Sequence, residues 1–236
     1  MKIEVLFPEF ANLFGDCWNW RYLARCLPEA EMIETGYGDE PRFVSEKVDM
    51  IIMGAMTEHQ QELVIEKLMP YRDCLRRLID SGVVFLMTAN AGEVFCEYIE
   101  NEDGSRIAGL GLVPLHAKRD MMHRYNSTQL CTFEDMELVG FKAEFSQLYG
   151  DNSDIYFAEA KYGVGINKKS KLEGVRIKNY FSTSMVGPFI MMNPPFVKYL
   201  MQLLGVKEPG LLFEETNMAA YERRRADIVR MMGENS

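Results

Sequence analysis

The sequence predicts an α/β domain: a mostly parallel sheet covered on both faces, with antiparallel strands added in its second half. Over the first hundred residues, short apolar and β-branched runs alternate with segments of helical period, the βαβα rhythm of a parallel sheet. The second half carries short strand-like runs separated by turns, as in an antiparallel addition. A chain of 236 residues, 47% hydrophobic and 26% charged, is long enough to bury one full core. No linker rich in Gly, Pro or Ser and no repeat divides it. One domain over residues 1–236 is expected, with a core of about 1–205 and a helical tail of about 211–232.

The elements follow in order. Residues 3–7 read as a first strand, and 18–26 as a helix after the Gly15-Asp16 turn, with Asp16 as its cap. Residues 31–35 are a second strand. The β-branched run 48–53 is a third, ending at Gly54. Thr57 and Gln60 have the spacing of a capping box, so a helix runs from there to Leu68. Pro70 opens another helix, to about Asp80, with Leu75, Leu78 and Ile79 on one face. The run 83–87 is a central buried strand. Beyond it, 109–112, 129–133, 138–141, 155–160 and 173–179 read as short strands, and 182–188 as a loop. Asn193-Pro-Pro195 starts an apolar helix, and a charged helix spans 214–232.

Charge and composition exclude several functions. A net charge of -9 argues against nucleic acid or an anionic membrane as the main partner. No apolar run reaches the length of a membrane span, and the first residues read as a strand rather than a signal peptide. The five cysteines are scattered and without CxxC spacing, which fits reduced thiols in a cytoplasmic protein. Asp16, Glu58 and Glu93 lack metal-ligand spacing, so neither a metal nor a cofactor is expected. Gly163-Val-Gly165 precedes no helix and is not a phosphate loop.

The most informative segment is Gly82-Val-Val-Phe-Leu-Met-Thr-Ala-Asn-Ala-Gly92, a buried strand running into a sharp turn and then a helix. Such an elbow exposes one side chain at the carboxyl edge of a sheet, beside helix amides that can hold an oxyanion. Here it carries Thr88, Ala89 and Asn90.

Several motifs, in order, give the chain a family resemblance. Asn12-Leu-Phe-Gly-Asp16 follows the first strand; Gly54-Ala-Met-Thr-Glu-His-Gln-Gln61 follows the third. Gly109-Leu-Gly-Leu112, Glu173-Gly-Val175, Lys178-Asn179 and Thr183-Ser-Met-Val-Gly-Pro188 with Asn193-Pro194 come after. Together they resemble the class I glutamine amidotransferases of the cobyric acid synthase type, and among these the glutaminase subunit of the lipid II isoglutaminyl synthase complex. The resemblance covers residues 1–205. It implies a flavodoxin-like three-layer sandwich, and a subunit that hydrolyses glutamine and hands ammonia to an ATP-dependent, Mur-ligase-like partner.

In that family a cysteine attacks the glutamine amide and a histidine handles the proton. In register, the nucleophile falls on Ala89, or on Thr88 with a shift of one, and the base falls on Val186. The family's glycine-rich segment after Val139-Gly-Phe141 is replaced by Lys142-Ala-Glu-Phe-Ser146, where Phe145 suggests partial filling of the pocket. Gly54, Gln61, Asn90, His123 and Arg124 are the binding residues the resemblance leaves in place; the last two fall near an arginine that positions glutamine in the family.

Other side chains were weighed as substitutes. Cys96 lies two helical turns from Ala89, about 10 Å away, and reads better as a buried structural thiol. Thr88 lacks the expected base. His59, His116 or His123 could supply a base from another element; His59, on the capped helix near the Gly54 loop, reads by default as a solvated histidine. Arg223, Arg224 and Arg225 read as a solvated helix face with a partner contact as the alternative, and Lys168-Lys-Ser-Lys171 as an exposed turn. The resulting expectation is a degenerate amidotransferase-like subunit that binds or scaffolds beside a synthetase, with a glutamine-like molecule as its ligand. Two alternatives stay open: an active amidotransferase with a relocated nucleophile, and a small-molecule sensor.

Overall fold

The structure is a computed structural model and describes residues 1–234. Its first half comprises β1 (Lys2–Leu6), α1 (Cys17–Cys26), β2 (Glu31–Thr35), β3 (Met50–Met53), α2 (Glu58–Leu68), α3 (Arg72–Ser81) and β4 (Val84–Thr88). The second half adds β5 (Tyr98–Glu100), β6 (Arg106–Ala108), β7 (His116–Arg119), β8 (Tyr125–Phe133), β9 (Met136–Glu144), β10 (Ser146–Tyr149), β11 (Ala158–Tyr162), β12 (Leu172–Glu173), β13 (Val175–Ile177) and β14 (Tyr180–Thr183). Two helices close the chain, α4 (Pro194–Leu203) and α5 (Glu214–Glu234).

The central sheet has the order β13-β14-β4-β3-β1-β2. All its neighbours pair in parallel except the β13–β14 hairpin. The parallel part has the doubly wound order of flavodoxin-like folds. Its inner strands are apolar on both sides because both sides are covered. Met50, Ile52, Val84 and Leu86 face a core shared with Leu23 of α1, Phe196 and Leu200 of α4, and Phe133 and Leu138 of the β8–β9 hairpin. Ile51, Met53, Phe85 and Met87 face Val64, Ile65 and Leu68 of α2 and Leu75 and Ile79 of α3. The strand period of two separates these sets. Two four-stranded sheets, β10-β7-β5-β6 and β12-β11-β8-β9, complete the fold. Tyr221 and Ile228 of α5 pack on Leu130 and Val139 of β8 and β9.

Local signals fix several boundaries. Thr57 and Gln60 form the expected capping box, and α3 ends at Gly82 with φ +84°, the left-handed cap that glycine favours. Pro70 sits in a 3-10 turn, Met69–Tyr71, that leads into α3. No helix among the described residues is long and apolar enough to cross a membrane.

Four local expectations are corrected. The segment after β4 is a 3-10 run, Ala89–Phe95, and not an α-helix. The stretch 109–112 is not a strand. Leu110, Gly111 and Leu112 donate their N–H groups to the carbonyls of Val94, Cys96 and Phe95, so those carbonyls are not free to carry the helical run beyond Phe95. Gly109 lies against the Cys96 carbonyl with no room for a Cβ. The run 173–179 is split at Gly174 (φ +62°), so that β12 pairs with β11 and β13 with β14. Finally, the loop expected at 182–188 begins inside a strand, since β14 runs to Thr183 and pairs with β4.

Candidate functional site

The carboxyl ends of β1, β3, β4 and β14 converge on one edge of the central sheet, where doubly wound folds place their ligands. Asp16 is the hub of this edge. Its carboxylate accepts hydrogen bonds from Ala55 N (2.5 Å), Thr88 Oγ1 (3.0 Å) and Asn19 Nδ2 (2.9 Å). It thereby joins the segments that follow β1 and β3 to the last residue of β4. Asp16 does not cap α1 with its side chain, as the sequence had suggested. The space around it is tight: a Cβ on Gly54 would lie 2.7 Å from both the Ala11 carbonyl oxygen and Asp16 Cβ, and one on Gly187 would overlap Asp16 Oδ1. Burial raises the Asp16 carboxyl to about 6, against three hydrogen bonds that favour its charged form.

The elbow itself is present. Thr88 ends β4 in extended conformation, and Ala89 has φ +51°. That left-handed conformation is unfavourable for a residue with a Cβ and marks a strained turn. Ala89 lines a cavity of about 250 Å³ beside the turn. Thr88 is 1% exposed, and its hydroxyl is committed to Asp16. Asn90 also lines the cavity, with both side-chain groups held by the Met56 backbone: Nδ2 donates to Met56 O at 2.8 Å, and Oδ1 accepts from Met56 N at 3.1 Å.

One wall is acidic. Glu93, just after the elbow, is buried and accepts from Gln61 Nε2 (2.9 Å) and Ser146 Oγ. Gln61 is itself fully buried; its Oε1 accepts from Arg119, which also pairs with Glu62 at 2.6 Å. Burial raises the Glu93 carboxyl, against the bonds from Ser146 and Gln61. Glu144 lines the same cavity and is raised to about 7, again by burial first, with Lys142 opposing and Glu173 adding to it.

A further buried carboxylate, Glu173, supports another part of the lining. Lys142 and Glu173 are fully buried and paired at 2.5 Å, and Lys142 Nζ also donates to Gly165 O. The other Glu173 oxygen accepts from Thr183 Oγ1 (2.8 Å) and Ser184 N (2.9 Å), which holds the end of β14. Ser184 lines the cavity. Val186 does not: it is buried, and its N–H donates to Phe141 O at 2.9 Å.

The structure therefore brings together Ala89, Asn90 and Arg124 among the residues singled out by sequence. It places Gly54 and Gln61 in the supporting layer and Val186 in the core. His123 is exposed, is held by Asp120 at 2.9 Å, and lines a neighbouring cleft. His59 is outside the cavity lining, and His116 is stacked between Tyr98 and Tyr149. Cys96 is buried beyond the 3-10 run, where its thiol points to the Gly92 carbonyl; burial, then Glu93 and Glu97, push it well above the usual thiol range. Among the described residues, no thiol and no imidazole lines the cavity. Phe145 does line it, as its size suggested. Sequence reasoning missed the roles of Phe14, Glu144 and Ser146. Phe14 adopts φ +59° inside the Asn-Leu-Phe-Gly turn, and that turn was its one available signal.

Comparison with known proteins agrees with this fold. No family model matches the chain. The glutaminase subunit GatD of lipid II isoglutaminyl synthase from Staphylococcus aureus is 21% identical over 169 residues, covering 72% of this chain and 68% of that protein. The subunit of the same name from Streptococcus pneumoniae is 22% identical over 228 residues, covering 94% and 86%. Among solved structures, PurLQS from Thermotoga maritima superposes with a TM-score of 0.57 at 12% identity, over 86% of this chain and 97% of that one. A glutamine amidotransferase superposes at 0.56 and 13% identity, over 86% and 99%. The fold is that of the class I glutamine amidotransferases, and the chain is a distant sequence relative of GatD.

Proposed function

We propose that this protein is a glutaminase-like subunit that has lost glutamine hydrolysis and works by binding, as a partner to a synthetase of the Mur-ligase type. One observation carries the reading: the strained position of the elbow, where a nucleophile would stand, is Ala89. A methyl group cannot attack a carbonyl carbon. The residue in register with the family base, Val186, cannot accept a proton and is buried away from the cavity. The relatives named GatD are subunits of a lipid II isoglutaminyl synthase, which favours a partner acting on cell-wall precursors. The test is ammonia release from glutamine by the purified protein, alone and mixed with the purified Mur-ligase-type synthetase. No release in either case is expected; release that depends on this chain overturns the reading.

A second reading rests on Ser146. Ser146 lines the cavity, and its hydroxyl donates to the Glu93 carboxylate, which is raised by burial and oriented by Gln61. A carboxylate beside a hydroxyl is the minimal pairing for general-base activation, so a relocated nucleophile has a defined place to be sought. Trapping with a glutamine-mimicking electrophile and mapping the adduct separates the two readings: an adduct on Ser146 supports relocation, and no adduct supports loss.

A further inference from the structure

The cavity beside Ala89 carries an electrostatic pattern that a glutamine site does not require. Glu58, Glu93 and Glu144 line it, while among the described residues Arg124 is the one cation in its lining. Arg119 and Lys142, outside the lining, are committed to Glu62 and Glu173. Arg124 has no ion-pair partner among the described residues. Its guanidinium instead sits over two aromatic rings, 5.3 Å from Phe14 and 5.4 Å from Phe145. Both distances lie within the range of cation–π attraction. The chain thus places an exposed cation of its own in the lining of an acidic cavity, against two phenyl rings.

We propose that this cavity is a binding site for a small organic cation bearing a guanidinium or primary ammonium group, and that Arg124 is its internal occupant when no ligand is present. The proposal rests on the reading that the cavity no longer turns over glutamine. Phe14 and Phe145 supply the ring faces, Glu144 the carboxylate, and Asn90 and Ser184 polar walls. Glu144 has only a long contact, 3.4 Å, from Gln147 Nε2, so its oxygens are available to a ligand. Its carboxyl is raised to about 7, first by burial, with Lys142 opposing, and an arriving cation would favour its charged form further. The volume of about 250 Å³ suits a small alkylguanidine or diamine. Among the described residues no three His, Cys, Asp or Glu side chains converge to hold a metal ion, which favours a stacked organic cation. Arg124 stands on the exposed turn before β8, so it can leave its seat without disturbing the core.

The two parts of the site predict opposite effects. Calorimetric titration with agmatine and with methylguanidinium, at constant ionic strength, is the measurement; glutamine and glutamate serve as comparison ligands. Arg124→Ala removes the internal competitor and is expected to bind agmatine on the order of tenfold more tightly than the unchanged chain. Arg124→Ala with Glu144→Gln is expected to lose that gain, and Arg124→Ala with Phe145→Ala to lose a large part of it. Unchanged or weaker agmatine binding by Arg124→Ala overturns the proposal, as does binding indifferent to Glu144→Gln. Preferential binding of glutamate over agmatine overturns it as well. Thermal unfolding of each variant shows that a lost signal is not a lost fold. Ammonia release from glutamine separately decides the functional reading: turnover defeats that reading and leaves the titration result standing, whereas absent cation binding defeats the site and leaves the missing nucleophile unchanged.

Discussion

Thr88 Oγ1 donates a hydrogen bond to Asp16 Oδ2 at 3.0 Å, across 72 residues of sequence, and this bond occupies the one hydroxyl at the elbow. The same oxygen accepts from Ala55 N, so a single buried carboxylate fixes three segments of the sheet edge against one another. Every donor facing Asp16 is uncharged, and no cation offsets its burial.

A pH dependence follows. Asp16 is raised from 3.8 to about 6 in the folded chain. The folded state then holds a proton that the unfolded chain releases at lower pH. Its stabilising contribution is complete below pH 3.8 and is lost as pH rises to about 6, by roughly 3 kcal/mol in all. Asp16→Asn keeps an acceptor for Ala55 N and removes the titration. Urea unfolding of the variant and the unchanged chain at pH 4 and pH 7.5 isolates the effect, because the other buried carboxyls are common to both. Asp16→Asn should gain stability relative to the unchanged chain as pH rises; a constant difference between the two would refute the assignment.

The crowding around Asp16 predicts intolerance at Gly187. A Cβ there would overlap Asp16 Oδ1 and lie 2.8 Å from the Asp16 Cα, so backbone must move. Gly187→Ala should cost about 1–3 kcal/mol, the usual penalty for overpacking a tight site. Gly210→Ala, where nothing lies within 4 Å of the added carbon, should change stability by about 0.5 kcal/mol or less. Equal midpoints for the two variants in thermal unfolding would contradict the packing described.

The Lys142–Glu173 pair predicts a larger loss. Both side chains are fully buried, and Glu173 also holds Thr183 and Ser184. Lys142→Met strands a carboxylate in the interior and should cost about 3–5 kcal/mol. Adding Glu173→Leu should recover only part of this, because Ser184 N then loses its acceptor. A Lys142→Met chain that unfolds within about 1 kcal/mol of the unchanged one in urea would show that the pair is not what secures the end of β14.

Most of the sheet was legible because its strands are apolar on both sides and its helices carry local signals, such as Thr57 with Gln60 and the glycine after α3. The elbow was legible too, since Ala89 follows a buried strand at the predicted turn. What stayed hidden depends on contacts distant in sequence. The 3-10 run after Ala89 stops where N–H groups of Leu110, Gly111 and Leu112 take its last carbonyls, and no periodicity within 89–95 reports that. Asp16 looked like a helix cap because its partners Ala55 and Thr88 are far along the chain. Gln61 read as a binding residue, yet it spends its side chain on Glu93 and Arg119. Glu144 ends β9 and Ser146 opens β10, and only the packing of those strands against the elbow makes them cavity walls.

Thiol reactivity tests the site most directly. Cys96 and Cys131 are buried, whereas Cys17, Cys26 and Cys74 are partly exposed. Burial also pushes both buried thiols well above the usual range, so neither supplies thiolate at neutral pH. Iodoacetamide treatment of the folded chain, followed by peptide mass mapping, should therefore modify the three partly exposed cysteines and spare Cys96. Ala89→Cys puts a thiol into the cavity wall and should add one modified site, at residue 89. That variant should still release no ammonia from glutamine, because among the described residues no imidazole lines the cavity to lower the thiol pKa or to protonate the departing amine. Labelling of Cys96 in the folded chain at a rate comparable to Cys17 would mean that the wall behind the elbow opens in solution, and would return Cys96 to consideration as a nucleophile.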